Sequence, residues 1–344
     1  MEEKDILQLV RKNIKALAPY STARDEYKGA LGYFLDANEN PFENGYNRYP
    51  DPRQLELKSI IAPMKGVAVE QMFIGNGSDE AIDLCFRIFC EPRIDNVVAI
   101  SPSYGMYRVS ADINDVEVRE VALNEDFSLS TDAMLSACDE HTKLMFVCSP
   151  NNPSGNIFPI EQMRALLDKF KGILVVDEAY IDFASQPSLT TLLAEYSNLI
   201  VLQTLSKAYG LAGLRLGLAF ASPAIMSLFA NVKYPYNINK AGQECAKKLL
   251  ARDVKAEIEI IKSERERVAT ALLQMSCVEK VYPSDANFLL VKVTAARALY
   301  EALIAEQVIV RDRSKVKGCS ECLRITIGTP VENDKMLEVV KNWK

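Results

Sequence analysis

Lys207 lies in Gln203-Thr204-Leu205-Ser206-Lys207-Ala208-Tyr209-Gly210, ahead of Gly213-Leu214-Arg215. Upstream, Asp177 closes the apolar run Gly172-Ile173-Leu174-Val175-Val176 and precedes Glu178-Ala179-Tyr180. Further upstream stands Ser149-Pro150-Asn151-Asn152-Pro153. A primary amine can form an imine with an aldehyde and, when released, can shuttle a proton. A carboxylate at a strand end can hold a ring nitrogen in its protonated form. Together with the Asn-Pro turn these features describe a pyridoxal phosphate site, although any one of them alone would be weak.

Each residue also has a bland reading. An ordinary lysine has a pKa of about 10.4 and sits exposed on the surface. Thr204, Ser206 and Arg215 around Lys207 argue against that fate, because Arg215 and the Ser206 hydroxyl suit a phosphate, a charged fork plus a neutral donor. A surface ion pair is the competing role for Arg215. Asp177 could instead cap a helix or ligate a metal. Only Glu178 accompanies it, and no G-x-x-x-x-G-K-[ST] motif exists, which lowers the metal reading. Tyr180 could hydrogen-bond the cofactor's ring 3′ oxygen, with Asn152 on the other side. Gly77, Ser78 and Asp79 open an apolar helical pattern, where small residues and unpaired N–H groups favour a phosphate. A bare helix cap would look the same, and the spacing is not G-x-G-x-x-G. Tyr104 follows a strand-like run and could stack on a pyridine ring; a core tyrosine competes.

The elements that must hold these groups alternate along the chain. Short apolar strands are expected at 97–100, 143–148, 173–176, 199–202 and 216–220, and helices at 79–89 and 161–170, with a turn at 75–77. That alternation implies an α/β fold with a mostly parallel sheet flanked by helices. Ligands then bind at the carboxyl ends of the strands, where Asn152, Asp177 and Lys207 fall. A long helical pattern at 254–275 leads to expected strands at 288–293, 308–310 and 323–327 and helices at 295–306 and 332–343. The expected organisation is an arm at 1–30 with one amphipathic stretch from Ile6 to Leu17, a large domain at 31–250, and a smaller α+β domain at 251–344.

Composition narrows the class. The 344 residues are 49% hydrophobic and 25% charged, as in ordinary globular proteins. A net charge of −6 gives no electrostatic case for nucleic acid or an anionic membrane. No apolar run approaches the roughly 18–20 residues of a spanning helix. The acidic start Met1-Glu2-Glu3-Lys4-Asp5 lacks a signal-peptide core, so a cytoplasmic location is expected. The eight cysteines are scattered, and Cys319-Ser320-Glu321-Cys322 is a C-x-x-C with the single histidine, His141, far away. A zinc site needs about four ligands, so no metal is expected.

The motifs resemble the fold-type-I pyridoxal-phosphate-dependent aminotransferases, and within them the histidinol-phosphate aminotransferase family. The resemblance runs along nearly the whole chain, through Ala18-Pro19-Tyr20, Asn38-Glu39-Asn40-Pro41, Asn47-Arg48-Tyr49-Pro50, Gly77-Ser78-Asp79-Glu80, Tyr104-Gly105-Met106-Tyr107, Asp177-Glu178-Ala179-Tyr180, Thr204-Leu205-Ser206-Lys207, Arg311-Asp312 and Leu323-Arg324-Ile325. Asp36 departs from the small polar or apolar residue expected there. The resemblance implies a homodimer with shared active sites, in which Tyr49 reaches the partner's cofactor phosphate. It implies that Arg324 and Arg311, helped by Tyr20, bind the anionic end of the substrate. The implied reaction is transfer of the amino group from L-histidinol phosphate to 2-oxoglutarate, giving imidazole-acetol phosphate and glutamate. Aromatic aminotransferases and threonine-phosphate decarboxylase share most of these motifs. A sensor domain of a regulator would need a DNA-binding module, which residues 1–30 are too short and acidic to supply.

Overall fold

The structure, a computed structural model, describes residues 3–22 and 32–343. Seven strands form the larger sheet: β1 (Met72–Asn76), β2 (Asn96–Ser101), β3 (Glu117–Ala122), β4 (Thr142–Cys148), β5 (Ile173–Asp177), β6 (Leu199–Thr204) and β7 (Leu216–Phe220). Their order is β1-β7-β6-β5-β4-β2-β3, with β7 antiparallel to both neighbours and the other pairs parallel. The central strands read as continuous apolar runs because both faces are covered. Val98, Met145, Leu174, Val176 and Val201 face one helical layer, while Val97, Phe146, Val175 and Ile200 face the other.

The second layer includes the start of the chain. Ile6 and Val10 are buried against it, and Arg11 donates its backbone N–H to Ile88 O at 3.0 Å. The expected single amphipathic stretch is two short helices, Glu3–Leu9 and Lys12–Lys15. The expected arm boundary at residue 30 lies outside the described residues.

The helix Lys255–Leu272 leads to a second sheet of β8 (Val278–Val281), β9 (Phe288–Val293), β10 (Arg311–Asp312) and β11 (Cys322–Thr326). Its order is β10-β11-β9-β8, all antiparallel. Leu289, Val291, Leu323 and Ile325 pack on the helices of this unit. Two expectations need correction. Gly75 and Asn76 lie in β1 rather than in a turn, because they pair with Gly217 and Leu216. Residues 308–310 form no strand; pairing starts at Arg311, opposite Arg324.

Candidate active site

The ends of β4, β5 and β6, the segment 204–215 and the start of the helix Ser78–Phe89 surround one cleft. Its lining includes Gly77, Ser78, Asp79, Tyr104, Asn152, Asp177, Tyr180, Ser206, Lys207 and Arg215. Residues spread over 138 positions thus converge, as expected of groups placed at strand ends.

Asp177 is the last residue of β5 and is buried. Tyr107 donates its hydroxyl to Oδ2 at 2.9 Å, and Ala179 donates its N–H to Oδ1 at 3.1 Å. Burial outweighs both donors and raises the carboxyl pKa to about 6. Tyr107 was missed as a site residue. It lies in the helix Met106–Ile113, three positions after Tyr104, and its ring packs on Phe146 at 4.9 Å. Cys148 and Thr204, also unassigned in the sequence, line the cleft. Cys148 sits directly opposite Asp177 in the sheet register.

At the other end of the cleft, the helix Ser78–Phe89 begins at Gly77, whose φ is +80°. No side chain caps it, so its first N–H groups point to the cleft unmatched. A Cβ at Gly77 would stand 2.6 Å from Arg215 Nη2, so glycine is required for conformation and for space. Arg215 lies 3.6 Å from Asp79 Oδ2, and Tyr104 donates to Asp79 Oδ1 at 3.0 Å. Asp79 therefore orients both the guanidinium and the aromatic ring.

Lys207 Nζ stands 5.8 Å from the centre of the Tyr180 ring. Burial first, and then the charges of Arg324 and Arg215, hold its pKa below the usual lysine range. The side chain is exposed at the cleft mouth, so water tempers that effect.

Arg324 enters from the second sheet. Its Nη1 donates to Asn152 Oδ1 at 2.5 Å, and its Cζ lies 5.3 Å over the Phe288 ring. Arg311 faces it across the β10–β11 pair and is exposed. Tyr49 and Tyr20 do not join this cleft within the chain. Tyr49 is 50% exposed and stacks on Tyr236 with ring centres 4.4 Å apart. Tyr20 is 74% exposed and lines a separate groove with Pro52, Lys58 and Met72. His141 is exposed in a turn. Cys319 and Cys322 are free and buried beside Phe127 and Tyr282.

The fold and this cleft define a transaminase, and the family model for class I and II aminotransferases matches residues 36–340. The chain belongs to that family. It is 53% identical over 343 residues to a histidinol-phosphate aminotransferase of Parabacteroides distasonis, covering 99% of both chains. It is 49% identical over 344 residues to one of Bacteroides thetaiotaomicron, again covering 99% of each. Among solved structures, a histidinol-phosphate aminotransferase from Sinorhizobium meliloti, in complex with pyridoxal-5′-phosphate, superposes with a TM-score of 0.78 at 25% identity. That match covers 86% of this chain and 82% of the other. The architecture is that of the fold-type-I enzymes.

The family implies pyridoxal phosphate, and the donor set suits it. An amine below its usual pKa, a buried carboxylate, an uncapped helix N-terminus and a guanidinium line one cleft. A phosphorylated aromatic aldehyde offers a match for each.

Proposed function

We propose that this transaminase moves the amino group of L-histidinol phosphate to 2-oxoglutarate, forming imidazole-acetol phosphate and L-glutamate. The observation that carries this reading is Arg324. An amine-bearing cleft has beside it a guanidinium with no acidic partner among the described residues, so the substrate must bring the anion. The names of the relatives supply the phosphate ester as that anion.

Pyridoxal phosphate, when bound, supplies the electron sink that makes the bond to the Cα proton breakable. Lys207 would hold it and would move the Cα proton of the substrate. Asp177, with Tyr107 fixing the carboxylate, would face its ring nitrogen and favour the protonated form. Asn152 and Tyr180 would hydrogen-bond its ring oxygen; Asn152 Oδ1 is engaged by Arg324, which leaves Nδ2 to donate. Tyr104 would pack against its ring. Gly77, the backbone N–H groups of Ser78 and Asp79, Ser206 and Arg215 would hold its phosphate. Arg324 and Arg311 bind the substrate anion.

The exposed Tyr49 acts from the partner subunit of a homodimer, on the partner's cofactor phosphate, and Tyr20 helps Arg324 and Arg311 hold the anionic end of the substrate. The units divide near residue 250, with residues 31–250 holding the cofactor and 251–344 forming the smaller domain. Eight free thiols suit the reducing cytoplasm. No helix among the described residues is long and apolar enough to cross a membrane.

A substrate panel tests the reading. Purified holoenzyme with histidinol phosphate and 2-oxoglutarate should release glutamate and no carbon dioxide. A preference for phenylalanine or tyrosine would favour an aromatic aminotransferase, and carbon dioxide release from a phosphorylated amino acid would favour a decarboxylase.

A further inference from the structure

The second sheet turns one face to its own helices and the other toward the cleft. Leu323 and Ile325 occupy the helix-packed face. Arg324, between them, points the other way. Arg311 is its cross-strand partner and shares its face. Arg313 continues the ladder, its N–H donating to Cys322 O at 2.9 Å. Two positions beyond Arg311, it lies on that same face. Three guanidinium groups thus gather at one sheet edge.

None of them has an acidic partner among the described residues. The Nε atoms of Arg313 and Arg324 and the Ser314 hydroxyl are buried without any hydrogen bond. Buried donors are ordinarily satisfied, and like charges at a strand edge repel. Burial and the neighbouring arginines hold both Arg313 and Arg324 below the usual guanidinium range. Tyr180, in the cleft, lies within electrostatic reach of both. Such an arrangement is costly unless an anion completes it.

A carboxylate has two oxygens and one charge, which one guanidinium fork satisfies. Arg324 alone can do that, with its other contact given to Asn152. A phosphate monoester carries up to two charges and three terminal oxygens, which leaves acceptors for a donor beyond Arg324 and the exposed Arg311, and Arg313 has a buried, unpaired Nε. We propose that Arg313 is a substrate-specificity residue that donates to the phosphate of a phosphorylated amino substrate, beyond the Arg324 position. This rests on the histidinol phosphate reading above.

The test uses holoenzyme in single half-reactions, followed by the cofactor's absorbance, with histidinol phosphate, unphosphorylated histidinol and glutamate. Arg313→Gln should weaken apparent binding of histidinol phosphate about tenfold to a hundredfold, as expected for a lost hydrogen bond to a charged group. Histidinol and glutamate should change by less than about threefold. Arg313→Lys should recover part of the loss, and the unfolding temperature of Arg313→Gln should equal or exceed that of the wild type. Equal losses for all three substrates, or no loss for histidinol phosphate, would overturn the assignment. If wild-type enzyme does not use histidinol phosphate, the proposed reaction falls, and inorganic phosphate decides the fate of Arg313. Weaker phosphate inhibition of the glutamate half-reaction in Arg313→Gln than in wild type then supports the anion site; equal inhibition overturns it.

Discussion

Arg324 Nη1 donates to Asn152 Oδ1 at 2.5 Å, and this contact joins the second sheet to the turn after β4. The two residues are 172 positions apart. The bond leaves Asn152 oriented with its amide nitrogen available, while Arg324 Nε stays unpaired. In the proposed function one side chain would therefore serve both the cofactor side and the substrate side of the cleft.

Arg324→Ala should lower kcat/KM for histidinol phosphate by at least about a hundredfold, because losing a buried charge-assisted contact costs on the order of 2–5 kcal/mol. The glutamate half-reaction should fall as well. Cofactor content, read from absorbance of the purified protein, should stay near stoichiometric, since Asp177, Lys207 and the residues proposed to hold the phosphate remain. A kcat/KM close to wild type for both substrates would place Arg324 in an ordinary surface role.

Lys207→Ala should abolish transamination and remove the borohydride-reducible attachment of the cofactor. Lys207 is the one lysine lining the cleft among the described residues. Mass spectrometry after borohydride treatment provides the check. A cofactor adduct surviving in the variant would show that another lysine carries the chemistry.

Asp177 makes a prediction about pH. Its folded carboxyl is raised to about 6 by burial, whereas an unfolded aspartate titrates near 3.9. The folded state therefore holds the proton more tightly. Stability from this source is fully present below about pH 4 and is lost as pH rises through about 6. Two units correspond to about 3 kcal/mol at most. Cofactor-free wild type should lose more stability between pH 5 and 8 than cofactor-free Asp177→Asn, measured by denaturant unfolding. The adjacent Glu178, raised by burial to about 7, titrates in both proteins and cancels in the comparison. Parallel curves would mean that Asp177 is not strained by burial.

The central strands were legible because burial on both faces leaves unbroken apolar runs, as in Ile173-Leu174-Val175-Val176. β3 was not, since Glu117, Arg119 and Glu120 are interleaved with its apolar residues at the sheet edge. β1 was masked by Gly75, which reads as a turn until Gly217 is placed opposite. Gly217 itself sits so close to Ser78 that a Cβ would meet its N at 2.0 Å, a constraint visible only in three dimensions. Residues of the cleft that lie just after strands were found from sequence. Tyr107 and Arg313 were not, because their roles depend on what packs beside them: Asp177 for one, and an arginine-lined sheet edge for the other.

Tyr49 tests whether the site is shared between subunits. In the single chain it is half exposed and stacked on Tyr236, beside a groove lined by Asn38, Arg48 and Lys240 and apart from the Lys207 cleft. Exposed aromatic side chains of this kind are enriched where another protein surface packs. If Tyr49 serves the partner's cofactor phosphate, two weak or inactive variants should complement one another. Mixing Tyr49→Ala with Lys207→Ala and allowing exchange gives hybrid dimers in which one site collects both defects. The other site keeps Lys207 from the first subunit and Tyr49 from the second, and is intact. Activity should rise above both unmixed controls, toward about a quarter of wild type for random exchange of equal amounts, with half the dimers hybrid and one of two sites active in each. If Tyr49 works within its own chain, every site retains a defect and mixing restores nothing, even when native mass spectrometry shows that subunits have exchanged.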